Sequence, residues 1–302
     1  MSRKLVFAMT LMIVLICMLS VAFEVKRVKA TETIYIMVDG SVYPSTANIT
    51  SIDNVTYTFT TNIYDKVVVE RDNIVVDGAG YILQGPGNGT GIRLLGISNV
   101  TIKNVEIKDF FNGISISYSS NITVHGNNIT NNWNGIELRY SLNNTIYQNN
   151  LINNEYGIWL HNSSNNSIIG NNITNNDWDG IRIRMFSNNN TISGNNITKN
   201  QYGINLTHSS NNNTISGNNI TENSKYGIYL TGTSNNTIYH NNFVDNAEQV
   251  NSYNSTNVWD DGYPSGGNYW SDYEERYPNA TEIDESGIWD TPYVIDENNQ
   301  DN

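Results

Sequence analysis

Residues 112–116 read Asn-Gly-Ile-Ser-Ile, and variants of this phrase recur along most of the chain. The Gly-Ile pairs are 22 to 24 residues apart and begin at Gly91, Gly113, Gly135, Gly157, Gly180, Gly203 and Gly227. A second phrase, Asn-Asn followed by an apolar residue, keeps the same spacing, and so does a Thr/Ser-Ile phrase. Three short apolar segments per period, each bounded by Gly, Asn or Ser, are typical of one coil of a solenoid.

Each apolar segment alternates apolar and variable residues, which is the periodicity of a β-strand. The intervals between segments are too short for a helix, and this argues against a leucine-rich repeat. Three short strands joined by tight turns predict an all-β parallel β-helix, whose equivalent residues stack about 4.8 Å apart in successive coils. The repeats span residues 67–250 and predict about seven to nine coils.

The repeated Asn residues predict a hydrogen-bonded ladder. Asn is a poor strand former, but it tolerates left-handed backbone angles at a bend. Stacked at one position in every coil, its side-chain amide can bond the amides above and below. We assign an inward-facing ladder to the second Asn of each Asn-Asn pair: Asn128, Asn150, Asn172, Asn196, Asn219 and Asn242.

Residues 1–30 predict an export signal peptide. Basic residues precede an apolar run over residues 5–23, and small residues follow near a cleavage position. An uncleaved membrane anchor is the alternative, because the run is nearly long enough to span a bilayer. The one cysteine, Cys17, lies inside this run, so the exported chain has neither a disulfide nor a thiolate metal ligand.

The composition is acidic. The formal net charge is −13, and it becomes −17 without residues 1–30, which hold five basic residues and one acidic residue. Such a surface is a poor partner for nucleic acid or for an anionic membrane. We therefore expect a secreted or cell-surface monomer, whose only membrane contact would be an uncleaved signal anchor.

Two segments flank the repeats. Residues 31–66 alternate as β-structure does but do not fit the repeat. They predict an N-terminal β cap, because an open β-helix end exposes strand edges and apolar core. Residues 251–302 are aromatic, Gly-rich and acidic, and predict a C-terminal cap. Carboxylates around Gly287 are a candidate calcium site: Asp284, Glu285 and Asp290.

The Gly-Ile-x-Leu and Asn-Asn-Ile phrases resemble the β-helix domain of NosD-type periplasmic proteins and of the wider carbohydrate-binding and sugar-hydrolase (CASH-type) repeats. The tail over residues 259–273 looks like the ending of archaeal exported proteins labelled NosD-like. The resemblance implies a right-handed β-helix. It also implies a copper role, because NosD is associated with copper delivery to nitrous oxide reductase.

The residues themselves give copper little support. Copper needs His, Met or Cys side chains that are brought together. No two of the four histidines share a repeat position in neighbouring coils: His125, His161, His208 and His240. Met37 and Met185 are isolated. From the residues, calcium is therefore the one candidate cofactor, and copper is implied only by the resemblance.

If the Ile and Leu of each Gly-Ile-x-Leu-x segment point inward, the variable positions point outward. They stack into one strip whose predicted ligand-binding residues are Trp133, Glu137, Arg139, Tyr156, Trp159, His161, Trp178, Arg182, Arg184, Tyr202 and Tyr229. One margin of this strip is predicted to be an aromatic set: Phe111, Trp133, Tyr156, Trp178, Tyr202 and Tyr226. Aromatic faces stack on sugar rings, and Arg pairs with carboxylates, so the strip predicts binding of a carbohydrate or surface polymer. A purely structural strip is the alternative.

An enzyme acting on polysaccharides is a further alternative. Hydrolases of this kind use clustered carboxylates, and lyases use a Lys or Arg base beside them. Asp177 or Asp179 could serve as acid or base, and Arg182 or Arg184 could stabilise charge. Turn carboxylates are common on soluble proteins, and no catalytic motif accompanies these, so the sequence favours binding over hydrolase or lyase activity.

Overall fold

The computed structural model describes residues 33–284 and 287–302. Over these residues, the chain winds into about nine coils of a right-handed parallel β-helix, as the repeats predict. Three parallel sheets, here called A, B and C, form the walls of the solenoid. The predicted signal peptide lies outside the described residues. Among the residues described, no helix is long and apolar enough to cross a membrane.

Sheet A is formed by the longest strands, most of them six residues. Numbered along the chain and given in spatial order, they are β2 (Val42–Tyr43), β1 (Thr33–Ile36), β5 (Lys66–Val69), β8 (Thr90–Leu95), β11 (Asn112–Ser117), β14 (Asn134–Arg139), β17 (Tyr156–His161), β20 (Asp179–Arg184), β23 (Tyr202–Thr207), β26 (Tyr226–Thr231) and β29 (Glu248–Tyr253).

Sheets B and C consist mainly of three-residue strands. Sheet B contains β3 (Ile49–Thr50), β4 (Thr56–Phe59), β6 (Ile74–Asp77), β9 (Val100–Lys103), β12 (Thr123–His125), β15 (Thr145–Tyr147), β18 (Ser167–Ile169), β21 (Thr191–Ser193), β24 (Thr214–Ser216), β27 (Ser234–Tyr239) and β30 (Thr256–Val258). Sheet C contains β7 (Ile82–Gln84), β10 (Glu106–Lys108), β13 (Asn128–Thr130), β16 (Asn150–Ile152), β19 (Asn172–Thr174), β22 (Asn196–Thr198), β25 (Asn219–Thr221), β28 (Asn242–Val244) and β31 (Tyr269–Trp270).

The core is a set of stacked aliphatic columns. In sheet A, Ile136 pairs with Ile158, which pairs with Ile181 in the next coil, and all three are fully buried. Burying one such side chain contributes roughly 1.5–3 kcal/mol. The glycine before each Ile is needed for close approach. A Cβ on Gly157 would lie 2.5 Å from the carbonyl oxygen of Gly180 in the next coil.

The predicted inward position of the second Asn is wrong. Asn150, Asn172 and Asn196 are superposed by the strand register, as stacking requires, but they lie on the outer surface of sheet C. The pleat explains the error. In Asn-Ile-Thr the Ile points inward, so the residues on either side of it must point outward. The predicted bonding along the stack does occur on this outer surface: the side-chain amide of Asn196 donates to Oδ1 of Asn172 at 3.0 Å, and that of Asn219 to Oδ1 of Asn196 at 3.0 Å. The inward position is corrected for the whole predicted ladder: Asn128, Asn150, Asn172, Asn196, Asn219 and Asn242.

The buried ladder is formed by the first Asn of each pair. The side-chain amide of Asn149 donates to Oδ1 of Asn171 at 3.0 Å, and that of Asn171 donates to Oδ1 of Asn195 at 3.0 Å. Each of these amides also donates to backbone oxygens of its own turn and the preceding coil, as Asn171 does to Ile146 and Ile169. The full ladder comprises Asn127, Asn149, Asn171, Asn195, Asn218, Asn241 and Asn268.

Two further buried Asn ladders run along the other bends, and the sequence analysis missed both. One comprises Asn132, Asn154, Asn176, Asn200, Asn223 and Asn246. The other comprises Asn144, Asn166, Asn190, Asn213, Asn236 and Asn257. Their 21-to-24-residue spacing matches that of the Gly-Ile phrase, and this was the signal that could have identified them.

The C-terminal segment completes the ladders. The carboxylate of Asp301 accepts hydrogen bonds from the backbone and side-chain amides of Asn268, as an Asn of a further coil would. Phe243, Trp270 and Tyr293 stack with ring centroids 4.4 and 4.2 Å apart and cover the end of the core. Around them lie the short helix α1 (Tyr273–Arg276) and the hairpin of β32 (Tyr293–Asp296) and β33 (Asn299–Asp301).

At the opposite end, β1 pairs with β5 and continues sheet A, while β2 and β3 join by antiparallel pairing. Both end segments therefore extend the sheets of the repeats. The predicted domain boundaries near residues 66 and 250 stay predictions.

Candidate functional site

The outer face of sheet A is the widest surface of the solenoid. Six-residue strands run side by side, and their fourth and sixth residues point outward because the Ile or Leu at the third and fifth positions points inward. The first residue of a strand also lies on this face, as Tyr156 does in contact with Trp159. The register stacks Glu137, Trp159, Arg182, Asn205 and Tyr229 in the fourth-position column.

In the sixth-position column, Arg139 pairs with His161, and His161 pairs with Arg184. The two predicted columns of the strip therefore exist as stacked rows of side chains.

The predicted aromatic margin divides into two columns. Tyr156, Tyr202 and Tyr226 occupy the first strand position, whereas Phe111, Trp133 and Trp178 lie one residue earlier, in the preceding turn. Trp133 and Trp178 are 45% and 46% exposed. The rings of Phe111 and Trp133 stack at 5.8 Å with an interplanar angle of 6°. The margin is thus a row of exposed ring faces beside a row of half-buried tyrosines.

Glu137 is buried in this face, although it was predicted to be an exposed ligand-binding residue. It is 5% exposed, and its Oε1 accepts a hydrogen bond from Arg139 at 2.9 Å. Its Oε2 accepts from Asn112 at 3.1 Å and from Ser115 at 3.4 Å. Glu137 therefore holds Arg139 in place from beneath, and the guanidinium rather than the carboxylate faces solvent.

Asp179 has the same role in the coil that follows Trp159. It is 1% exposed, accepts from the side chain of Asn205 at 3.2 Å, and lies 3.6 Å from Nε of Arg182. Burial raises the pKa of Asp179 to about 6, against the opposing effects of Arg182 and Asn205. Asp177 is exposed in the turn before β20, so the structure places only one of the two candidate acids in the face.

One arginine of the face, Arg182, lies against two aromatic rings. The guanidinium of Arg182 lies 5.0 Å from the centre of the Tyr156 ring and 5.4 Å from that of Trp159. Such contacts stabilise a cation and hold its plane in a fixed orientation. Tyr202, Tyr226 and Tyr229 form a second aromatic group above, with ring centroids 5.6 to 5.7 Å apart.

Unpaired buried polar atoms are concentrated on this face. Ten such atoms occur among the described residues, and only two lie elsewhere, in Asn257 and Asp301. The other eight belong to sheet A strands or directly precede one: Asn134, Trp159, His161, Arg182, Arg184, Gln201, Asn205 and Thr231. A buried polar group without a partner costs about 1–3 kcal/mol, so such atoms are rare unless a water, ion or ligand completes them.

Among the residues that the structure describes, the histidines and carboxylates are not gathered into one group. Across residues 33–284 and 287–302, no three His, Cys, Asp or Glu side chains come together as a metal-binding group. His125 stacks on Tyr147 in sheet B, whereas His240 lies in the turn between β27 and β28, hydrogen-bonded to Ser265 of the C-terminal cap. The copper implied by the resemblance therefore does not fit the described side chains.

The calcium candidate is equally unsupported by contacts. Asp290 accepts hydrogen bonds from Thr281 and Thr291, and Asp284 accepts one from Tyr263 at 2.6 Å. Glu285 lies outside the described residues. Calcium stays a prediction from the sequence.

A cavity of about 470 Å³ opens in the C-terminal cap, away from the strip. It is lined by His240, Trp270, Tyr293 and Asp301, among others. The rings of Trp270 and Tyr293 stack on each other, and Asp301 ends an Asn ladder. These side chains cover the end of the solenoid core, so we place the candidate site on sheet A.

Fold and face together define a class: an all-β solenoid whose inner columns repeat and whose outer face of sheet A presents rings, guanidinium groups and unpaired polar atoms. The model of the family described as periplasmic copper-binding protein (NosD) matches residues 32–186 and 66–275. The chain therefore belongs to the NosD family.

Solved structures share the fold. The periplasmic alginate epimerase AlgG is 16% identical, with a TM-score of 0.52 over 74% of this chain and 79% of that chain. The enzymatically active domain of bacteriophage CBA120 tailspike protein 2 is 14% identical, with a TM-score of 0.53 over 76% and 43%. The DFA-IIIase of Arthrobacter chlorophenolicus A6 is 14% identical, with a TM-score of 0.52 over 68% and 59%. No curated protein sequence matches the chain.

Proposed function

We propose that this chain is an exported protein that binds a carbohydrate polymer along the outer face of sheet A. The observation that carries the proposal is the concentration on that face, among aromatic rings, of eight buried polar atoms that have no hydrogen bond. Hydroxyl groups of a sugar donate and accept hydrogen bonds, and sugar rings stack on aromatic faces. A saccharide therefore supplies both kinds of contact that the face lacks.

The shape of the face favours a polymer over a small ligand. The strip is open and runs over about seven coils, which is roughly 30 Å at the spacing of parallel strands. Small-molecule sites are concave and enclose most of the ligand. An extended chain lying across successive coils would instead contact one outward row per coil.

Family and fold support location and ligand class at a coarse level. The family is described as periplasmic, and the similar structures include a periplasmic alginate epimerase and a phage tailspike. These names support an extracytoplasmic location and a polysaccharide as partner. Identity of 14% to 16% transfers the fold alone, so the proposal rests on the side chains of this face.

The test is a glycan and polysaccharide array probed with the wild-type protein and two variants. Trp159→Ala removes a ring from the centre of the strip, whereas Tyr147→Ala removes a comparably half-buried outward ring from sheet B. We expect binding to fall at least about tenfold in Trp159→Ala, which corresponds to roughly 1.4 kcal/mol, and to stay within about twofold in Tyr147→Ala. Equal losses in both variants, or no saccharide bound by the wild type, would refute the proposal.

A polysaccharide hydrolase or lyase is the second candidate, favoured by one observation. The carboxyl of Asp179, with its pKa raised to about 6 by burial, lies beside Arg182, as a general acid or base would. Because Asp179 is 1% exposed, a polymer on the face would touch Arg182 before the carboxyl. Release of shorter or unsaturated products from a bound polymer, lost in Asp179→Asn, would establish the enzyme in place of the binding protein.

A further inference from the structure

We infer that the polymer carries anionic groups, and that Arg184 together with His161 binds one of them. The inference rests on the proposed binding of a polymer and adds its chemical class. Three arginines lie within three successive coils of the strip, one on β14 and two on β20. Two of them already have a carboxylate: Arg139 has Glu137, and Arg182 has Asp179. Arg184 forms no ion pair with any side chain that the structure describes.

The side chain of Arg184 lacks partners that an anion from outside the chain could supply. It is the last residue of β20, half-buried, and its Nε is buried without a hydrogen bond. Burial and the neighbouring Arg182 lower the pKa of Arg184 below its ordinary value, which means that both make its positive charge less favourable than it is in water. Binding of an anion would relieve both effects, because a carboxylate or sulfate offers two oxygens to the guanidinium fork.

His161 lies directly beside Arg184, paired with it in the strand register. Its Nδ1 is also buried without a hydrogen bond. Adjacent strands lie about 4.8 Å apart, so one anionic group can contact both side chains. The sixth-position column thus presents the positive charges of Arg139 and Arg184 on either side of His161, on a protein whose net charge is −13.

Binding of an anion at this column has a pH signature. Burial lowers the pKa of His161, and the positive charges of Arg139 on β14 and Arg184 on β20 lower it further, while Glu137 on β14 acts in the opposite direction. His161 is therefore neutral at pH 7 in the free protein. A bound anion raises its pKa, so a proton is taken up and affinity rises as the pH falls towards 6. Protonation of Asp179 over the same range acts in the same direction.

The test uses polymers that differ only in charge. De-esterified homogalacturonan is compared with the same polymer fully methyl-esterified, and dextran sulfate is compared with dextran. Calorimetric titrations use the full protein, Arg184→Gln, and the control Lys199→Gln, which removes one positive charge from an exposed turn after β22 in sheet C. The first pair reports on carboxylates and the second on sulfates.

We expect the wild type to bind one charged polymer at least about tenfold more tightly than its neutral counterpart. Arg184→Gln should remove most of that preference, and Lys199→Gln should keep it. Wild-type affinity should be higher at pH 6 than at pH 8, and His161→Gln should reduce that difference to the contribution of Asp179.

Three results would overturn the inference in different ways. Equal binding of the charged and neutral members of both pairs, with Trp159→Ala still defective, would reject the anionic class and leave polymer binding in place. Failure to bind any polymer would remove the proposed function and this inference together. A charge preference that Lys199→Gln lowers as much as Arg184→Gln would reject Arg184 as the anchor.

Discussion

The inner columns and the outer face of sheet A are built by the same strands but obey opposite rules. In the interior, the ladders repeat one residue from coil to coil, as Asn149, Asn171 and Asn195 do, and the columns of the core stay apolar. On the outer face, the residue type changes between most coils, as from Glu137 to Trp159 to Arg182. Repetition satisfies the polar atoms of the ladders internally, whereas the varied face leaves polar atoms unpaired. The repeated positions therefore serve the fold, and the varied positions are available for recognition.

Replacing a ladder residue is the strongest test of the difference between the repeated and the varied positions. Asn171→Leu removes the acceptor for both amides of Asn149 and the donor to Ile146, Ile169 and Asn195. Several buried groups are then left unpaired, and we expect a loss of about 3–5 kcal/mol in the free energy of unfolding. Chemical denaturation measures it.

The neighbouring outward residue is the matched control. Asn172→Ala should cost less than about 1 kcal/mol, because the side chain of Asn172 lies on the surface of sheet C. A larger loss in Asn172→Ala than in Asn171→Leu would restore the original ladder assignment and contradict the corrected one.

The end of a ladder should respond to pH. Burial raises the pKa of Asp301 to about 7 from an ordinary value of 3.8. The folded state therefore holds a proton that the unfolded chain has released, and the stability conferred by it is lost as the pH rises through 7. We expect the wild type to lose roughly 2–3 kcal/mol between pH 5 and pH 8 from this group.

Asp301→Asn keeps an acceptor for Asn268 but does not titrate. Its unfolding free energy should therefore depend less on pH than that of the wild type. A wild-type stability that rises between pH 5 and pH 8, with Asp301→Asn unchanged in its slope, would show that Asp301 is not held protonated by burial.

The buried carboxyl of the outer face should show a smaller effect of the same sign. The pKa of Asp179 is raised to about 6 by burial, so its contribution to stability is present below pH 3.8 and is lost as the pH passes 6. Between pH 5 and pH 8 we expect a loss of about 1 kcal/mol, absent in Asp179→Asn. Unfolding curves of both proteins at the two pH values provide the comparison, and equal slopes would reject this assignment.

Removing a ring of the strip should cost much less stability than removing a ladder residue. Trp159 is outward and half-buried, and it contacts Tyr156 at 5.5 Å between ring centroids. Trp159→Ala should lower the unfolding free energy by only about 1–2 kcal/mol while it abolishes most polymer binding. A loss as large as that of Asn171→Leu would mean that the strip serves the fold.

The fold could be predicted because each coil packs against a coil of the same shape. Equivalent positions therefore need similar residues, and the sequence repeats with the backbone. Glycine is needed at Gly157 because the next coil approaches it closely. The same requirement in every coil makes the period visible in the sequence. The inward ladder was misplaced by one residue because the assignment ignored the pleat. At Asn171-Asn172-Ile173, alternation from the buried Ile puts Asn172 outside.

For the candidate site, the sequence could predict only which residues stack in the same column. Register follows from the repeat, so the sequence alone places Trp159, Arg182 and their neighbours on one face. The burial of Glu137 and Asp179 beneath arginines could not be predicted, because it depends on how long side chains fold over one another. The division of the aromatic margin was also missed, because the prediction treated residues one and two positions before each Gly as one column. Tyr156 directly precedes Gly157, whereas Trp178 is two residues before Gly180.

Hydroxyl-radical footprinting of the full protein, with and without de-esterified homogalacturonan, tests most directly whether the outer face of sheet A is the binding site. If it is, the polymer should protect Trp133, Trp159 and Trp178 from oxidation and leave Tyr147 of sheet B and Tyr269 of the cap as reactive as before. Protection of Tyr147 or Tyr269 with the three tryptophans still fully reactive would contradict the account.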